Sequence, residues 1–106
     1  MKPAQVVKAL AALAQPTRLA IYRLLVTSGP EGMAAGQIAE KLKVSPANIS
    51  FHFKTLSHAG LIESRQDGRF VYYAANFVVM NGMVEYLTEN CCGGHDEMCK
   101  TPSKKC

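Results

Sequence analysis

Residues 43–60 read KVSPANISFHFKTLSHAG, and this stretch decides the fold. Ser45 followed by Pro46 is a standard helix start, because serine caps free backbone N–H groups and proline fits the first helical position. Gly60 is a typical residue for a helix end. One face of the helix is apolar at positions i, i+4 and i+7, which are Ile49, Phe53 and Leu56. The stretch is therefore predicted to be a helix with one buried face.

The segment before this helix predicts a helix-turn-helix. Apolar residues at helical spacing predict a shorter helix over residues 34–42, and only residues 43–45 connect the two. Further upstream, the same spacing predicts a first helix over residues 3–14 and a second helix that Thr17 caps and that ends near residue 26. The chain thus begins with four predicted helices.

The segment after the helix predicts a β-hairpin and a last helix. Strand-like residues 61–65 and 69–74 flank Gln66-Asp67-Gly68, which is a strong hairpin signal. Asn76 is expected to cap a fifth helix over residues 77–89. We predict a mainly α fold with a β-hairpin wing, a winged helix-turn-helix in the order α1-α2-α3-α4-β1-β2-α5. Residues 1–90 would form this domain, and residues 91–106 a cysteine-containing tail.

The exposed face of the fourth helix predicts sequence-specific DNA binding. Asn48 and Ser50 can hydrogen-bond base edges, Phe51 can contact thymine methyl groups, and Lys54 and His52 suit phosphates. The predicted DNA-binding residues are Gln37, Ser45, Ala47, Asn48, Ser50, Phe51, His52, Lys54, Arg65 and Arg69. The partner would be double-stranded operator DNA.

Composition is consistent with this interpretation without proving it. The formal net charge of +4 and the pI near 9.0 suit a polyanionic partner. No apolar run approaches the roughly 18 residues that a membrane span needs, and no signal peptide is evident. No catalytic motif or phosphate-binding loop is apparent, so we predict a non-enzyme. We expect a cytoplasmic protein whose cysteines act as ligands or redox groups.

Several strings in order resemble the ArsR family of arsenic- and metal-responsive bacterial repressors. They are residues 11–25 (AALAQPTRLAIYRLL), 44–54 (VSPANISFHFK), 56–62 (LSHAGLI) and 68–73 (GRFVYY). The resemblance implies a homodimer built from the first and last helices, with release of operator DNA on inducer binding. The family's cysteine box on the third helix and its Asp/His zinc site on the last helix have no counterpart here. Some members of the family instead bind arsenite through a Cys-Cys pair that follows the last helix.

The tail contains every cysteine of the chain, namely Cys91, Cys92, Cys99 and Cys106. Thiolates prefer soft ions, and trivalent arsenic takes three of them. Neighbouring cysteines point about 100° apart in a helix and converge only where it ends, which the glycines at 93 and 94 favour. We predict that Cys91, Cys92 and Cys99 bind As(III), or Sb(III) or a methylated trivalent arsenical, with Cys106 as a spare.

Other interpretations stay open at this point. Zn(II) could bind the same three cysteines with His95 as fourth ligand. A reversible disulfide between Cys99 or Cys106 and one of the Cys91-Cys92 pair would make a redox switch. The tail could also carry inert thiols. Finally, the protein could be a thiol-rich ion carrier that does not bind DNA.

Overall fold

The structure is a computed structural model that describes residues 1–94 of the 106-residue chain. The elements in order are α1 (Pro3–Leu13), α2 (Pro16–Ser28), β1 (Met33–Ala34), α3 (Ala35–Leu42), α4 (Pro46–His58), β2 (Ile62–Asp67), β3 (Phe70–Ala75) and α5 (Phe77–Thr88), followed by a 3₁₀ turn at Cys91–Gly94. The predicted mainly α fold with a hairpin after the helix-turn-helix is confirmed. His95, Cys99 and Cys106 lie outside the described residues.

The sheet contains one strand more than predicted. The additional strand is the short β1, so the two strands of the predicted hairpin are β2 and β3 in the structure. The sheet is antiparallel in the order β1-β3-β2, with Met33 opposite Tyr73 and Ala34 opposite Tyr72. The β2–β3 hairpin runs from Ile62 opposite Ala75 to Asp67 opposite Phe70. The hairpin is therefore longer towards its tip than predicted. Gln66 and Asp67 belong to β2, and the turn consists of Gly68 and Arg69 instead of residues 66–68. β1 fastens the loop after α2 to the free edge of the wing.

The loop before β1 requires a glycine at position 32. Gly32 has φ +75°, a backbone conformation that side chains disfavour. A Cβ atom at this position would overlap the carbonyl group of Tyr73. The close approach of Gly32 to β3 is what allows Met33 and Ala34 to pair with this strand.

The core lies where α2 and the helix-turn-helix meet the start of the wing. Its fully buried large side chains are Ile21, Leu25, Ile38, Leu56 and Leu61. The predicted buried face of α4 is confirmed, since Ile49, Phe53 and Leu56 are each at most 3% exposed. Tyr22 also lies in this core, and burial raises the pKa of its hydroxyl to about 12.

The helix caps agree with the sequence at two positions and correct it at a third. Ser45 accepts the backbone N–H of Asn48 at 3.3 Å, and Asn76 caps α5 as predicted. The prediction that Thr17 caps α2 is wrong. The cap is Gln15, whose side-chain oxygen accepts the N–H of Arg18 at 2.8 Å. Proline fits the first helical turn, so α2 begins at Pro16 and places Thr17 inside the helix.

Candidate nucleic-acid interface

The turn of the helix-turn-helix is fixed by backbone hydrogen bonds around Lys43. Lys43 has φ +55° and ends α3 in the left-handed conformation. Its N–H donates to the carbonyl of Glu40 at 3.3 Å, and the N–H of Val44 donates to the carbonyl of Ala39 at 3.0 Å. These bonds close the end of α3 and direct the chain into α4 within three residues.

The outer face of α4 presents five of the predicted DNA-binding residues to solvent. Ala47, Asn48, Ser50, Phe51 and Lys54 are all exposed. Phe51 is the extreme case, with 66% of its surface accessible. Because the opposite face is buried in the core, this exposed face is free to enter a major groove.

Two hydroxyl groups of α4 bond back to the helix itself. Ser50 donates to the carbonyl of Pro46 at 2.9 Å, and Thr55 donates to the carbonyl of Phe51 at 3.2 Å. Because the hydroxyl hydrogen of Ser50 is used in the bond to Pro46, only the lone pairs of its oxygen face outward. Ser50 is therefore arranged to accept a hydrogen bond from a base amino group rather than to donate one.

His52 and Gln37 both make contacts within the protein, although Gln37 is exposed. His52 is half-buried and packs edge-on against Phe51, with ring centroids 6.1 Å apart. Its Nδ1 atom is buried without a partner among the described residues. The side-chain oxygen of Gln37 accepts the N–H of Ala34 at 3.4 Å and so caps α3. Both residues have a structural role besides any contact with DNA.

Arg65 braces the wing against the loop that precedes β1. Its Nη1 atom donates to the carbonyl of Glu31 at 3.0 Å, and its guanidinium lies 4.8 Å from the centroid of the Tyr72 ring. Sequence reasoning missed this role because the loop approaches the wing only through β1. Arg65 and Tyr72 lie opposite each other on neighbouring strands. This cross-strand pair of a cation and an aromatic ring is the sequence signal that could have indicated the role of Arg65.

Arg69, at the tip of the wing, is a charged side chain that makes no ion pair with the described residues. Arg69 is exposed beside Gly68, which adopts φ +63° in the turn. Within residues 1–94 neither Arg69 nor Lys54 forms an ion pair. These charges are available for phosphate oxygens, and they lie on the recognition helix and on the wing.

An aromatic stack joins the recognition helix to the wing. The rings of Phe53 in α4 and Tyr73 in β3 are stacked, with centroids 4.1 Å apart and planes inclined by 24°. Phe53 is 3% exposed, so the stack is part of the core. The two elements that would contact DNA are thus packed directly against each other.

The first two cysteines lie just beyond α5, where the helical geometry has ended. Asn90 and Cys92 have φ values of +55° and +61°, and Gly93 also has a positive φ. Cys91 is a half-buried free thiol, and Cys92 takes part in a disulfide bond. In the part of the chain that the structure describes, no three His, Cys, Asp or Glu side chains form a metal-binding group. The third predicted ligand, Cys99, lies outside that part.

Comparison with known proteins places the chain among helix-turn-helix regulators. A family model described as a helix-turn-helix domain matches residues 13–65. The transcriptional repressor SdpR of Bacillus subtilis is 36% identical over 76 residues, which are 72% of this chain and 81% of SdpR. An HTH-type transcriptional regulator of the same organism, YceK, is 44% identical over 61 residues, 58% of this chain. The matched region spans 60% of the length of YceK.

Solved structures agree in fold over most of the chain. An ArsR-like transcriptional regulator from Rhodococcus sp. RHA1 has a TM-score of 0.69 at 28% identity, over 90% of this chain and 85% of that one. The homodimeric winged helix-turn-helix domain of Mb0332 from Mycobacterium bovis has a TM-score of 0.63 at 27% identity, over 80% and 83% of the two chains.

The fold, the exposed α4 face and the hairpin wing define a DNA-binding transcriptional regulator of the winged helix-turn-helix type. The match to the helix-turn-helix family model and the similarity to these relatives also identify the family of regulators. The chain belongs to the ArsR family. Among the helices of residues 1–94, none has the length and apolar character needed to cross a membrane.

Proposed function

We propose that the protein is a cytosolic arsenic-responsive repressor, which binds operator DNA as a homodimer and releases it when C-terminal thiolates bind As(III). The observation that carries the sensing part is the position of Cys91 and Cys92, which begin three residues after the last residue of α5. The repressor role is supported by the relative SdpR, a transcriptional repressor by name.

The dimer is proposed to form through α1 and α5. Both helices expose large apolar side chains that the single chain leaves uncovered, namely Val7 at 66%, Leu10 at 41%, Val78 at 82% and Leu87 at 61%. Apolar surface of this kind marks an interface. The related winged helix-turn-helix domain from M. bovis is homodimeric. A two-fold dimer would place two α4 helices for two half-sites of a palindromic operator.

A substitution on α5 tests this interface. Val78→Asp is expected to convert the dimer to a monomer in sedimentation experiments, because it places a charge in an apolar contact. Leu19→Asp is the matched control, since Leu19 is 45% exposed on α2, outside α1 and α5. If the Val78 variant sediments as a dimer while the Leu19 variant dissociates, the interface is assigned to the wrong helices.

The chemistry of the donor set fits trivalent arsenic. As(III) is thiophilic and takes three sulfur ligands, which Cys91, Cys92 and Cys99 can supply when reduced. The left-handed backbone at Asn90, Cys92 and Gly93 releases the cysteine pair from helical geometry. The two thiolates are then not held about 100° apart as they would be inside a helix.

Coupling to DNA would run through α5. Binding of the ion to the chain segment after Thr88 orders the end of a helix that we place in the dimer interface. A change of this kind alters the relative orientation of the two α4 helices. Typical allosteric coupling of about 1–3 kcal/mol would weaken operator binding about 5- to 150-fold.

Single cysteine substitutions test the proposal. With an operator obtained by selection from random DNA, As(III) under reducing conditions is expected to release the wild-type protein in a mobility-shift assay. Cys91→Ser, Cys92→Ser and Cys99→Ser should each bind DNA normally but lose most of this response. Cys106→Ser is the matched control and should respond like wild type. A Cys92→Ser protein that still releases DNA on As(III) addition refutes the assignment.

A redox-responsive repressor is the second candidate, because Cys92 takes part in a disulfide bond. The same assay separates the two. A redox switch predicts release by an oxidant alone, with recovery on reduction, and no effect of As(III) on the fully reduced protein. Parallel titrations with Sb(III) and Zn(II) identify the inducer: a Zn(II) response that needs His95 would replace arsenic with zinc.

A further inference from the structure

The first two turns of α4 have a composition that suits A·T base pairs. Residues 46–53 read PANISFHF and contain neither lysine nor arginine, whose paired bonds to guanine are the commonest specific contact in a major groove. Asn48 is instead the type of residue that bonds the N6 and N7 atoms of adenine. Because the N-terminal residues of a recognition helix contact the bases, α4 is suited to adenine and not to guanine.

The hydroxyl group of Ser50 agrees with this preference. Its hydrogen is donated to the carbonyl of Pro46 at 2.9 Å, so its oxygen is left to accept a hydrogen bond. In the major groove adenine and cytosine present amino donors, whereas guanine presents only acceptors. A base that Ser50 contacts is therefore adenine or cytosine.

Phe51 is the large apolar group on the same face of α4. Its side chain is 66% exposed, and among residues 1–94 its only ring contact is with His52. The ring has no polar atom that could bond the edge of a base. The apolar group that a base pair presents in the major groove is the 5-methyl group of thymine. Contact between this methyl group and the ring of Phe51 would remove apolar surface of both from water.

The spacing of Asn48 and Phe51 matches the spacing of base pairs. The two residues are three positions apart, so their Cβ atoms lie about 5–6 Å from each other and are displaced by about 4.5 Å along the helix axis. Successive base pairs of DNA are about 3.4 Å apart. An adenine bonded by Asn48 and a thymine methyl group beside Phe51 would therefore belong to the same base pair or to adjoining pairs.

We infer that Phe51 is a specificity-determining residue of the recognition helix, and that it selects the 5-methyl group of a thymine within one base pair of the adenine that Asn48 bonds. This inference rests on the proposed function, because it requires α4 to bind an operator through the major groove. It adds that each half-operator contains A·T pairs at this point, and that one of them is distinguished by apolar contact and not by hydrogen bonding.

Replacement of thymine by uracil tests the inference with the wild-type, full-length protein, because it removes only the methyl group. The operator selected from random DNA is prepared with uracil at one thymine position at a time, in both half-sites. At the thymine that contacts Phe51 we expect affinity to fall about three- to fivefold per half-site, the effect of one buried methyl group, and about 10- to 25-fold for the dimer. If no such replacement lowers the affinity by more than about twofold, the inference is wrong.

A substitution assigns the methyl contact to Phe51. Phe51→Ala changes an exposed side chain outside the core, and this variant should bind the thymine and uracil forms of the operator equally. Phe70→Ala is the matched control, because Phe70 is 61% exposed on β3 of the wing, and it should keep the full preference for thymine at that position. If Phe51→Ala prefers the thymine form as strongly as the wild type does, another residue contacts the methyl group and the inference is refuted.

Selection from random DNA separates a failure of this inference from a failure of the proposed function. If no preferred sequence is selected, the protein does not recognise an operator, and both fail together. If an operator is selected and the wild-type protein binds all of its uracil forms as tightly as the thymine form, the inference alone fails. The expected result is an operator whose binding depends on one thymine methyl group in each half-site.

Discussion

Replacing Asn48 with alanine is expected to lower the affinity for the operator about 5- to 150-fold. Asn48 is exposed on α4, two positions beyond Pro46, where its amide can form paired hydrogen bonds with a base edge. One such pair contributes about 1–3 kcal/mol of discrimination. Affinity for non-specific DNA should hardly change, because phosphate contacts supply it. The measurement is a titration of both DNAs at one fixed salt concentration.

The structure offers a clean comparison for this experiment. Asn48 contributes only its backbone N–H to the Ser45 cap, so the cap survives in Asn48→Ala. Ser57→Ala changes an exposed residue near the other end of the same helix and should bind the operator like wild type. If the Asn48 variant binds both DNAs like wild type, Asn48 does not read the operator.

Replacing Gly32 with alanine is expected to destabilise the fold by more than about 3 kcal/mol. A left-handed backbone costs a side chain about 1–3 kcal/mol. At Gly32 the new methyl group would also overlap the Tyr73 carbonyl, so β1 must move away from β3. Buried overlap and strain at a special backbone position are among the few causes of losses this large. The free energy of unfolding, from urea titration of the dimer at one protein concentration, checks it.

The variant Gly29→Ala distinguishes the cost of backbone strain from the cost of steric overlap with Tyr73. Gly29 also has a positive φ, of +80°, but nothing lies within 4 Å of the point that a Cβ atom would occupy there. Its alanine variant should therefore lose only the backbone contribution, and clearly less stability than Gly32→Ala. Equal losses in the two variants would mean that the contact with Tyr73 contributes nothing.

Local signals were sufficient for most of the fold. The Ser45-Pro46 start, the apolar spacing of α4 and the Asp67-Gly68 hairpin signal each act within a few residues, so they can be recognised in the sequence. The hairpin is where this signal predicts it, although its turn residues are Gly68 and Arg69. β1 could not be predicted this way, because two residues carry no periodicity and pair only where Gly32 meets β3. Gln15 was missed because the general preference for threonine as a cap outweighed the position of Pro16.

The candidate site was predictable in residue type but not in detail. Exposure of Asn48 and Phe51 follows from the helical period of α4, and it is confirmed. The contacts of Arg65 depend on a loop more than thirty positions away, so no local pattern contains them. The ligands of the proposed ion include Cys99, which lies outside the described residues, and the assignment of the sensor therefore stays a prediction.

The stacked rings of Phe53 and Tyr73 have a mechanical consequence for gene control. Because they tie helix and hairpin together, one subunit should meet its half-operator as a single stiff block. Binding of the proposed inducer would therefore change the position of the recognition helix and the wing together, and not the shape of either one alone. The inducer that we propose would act on the distance and angle between the two blocks. Operators with an altered number of base pairs between their halves should then mimic the induced state.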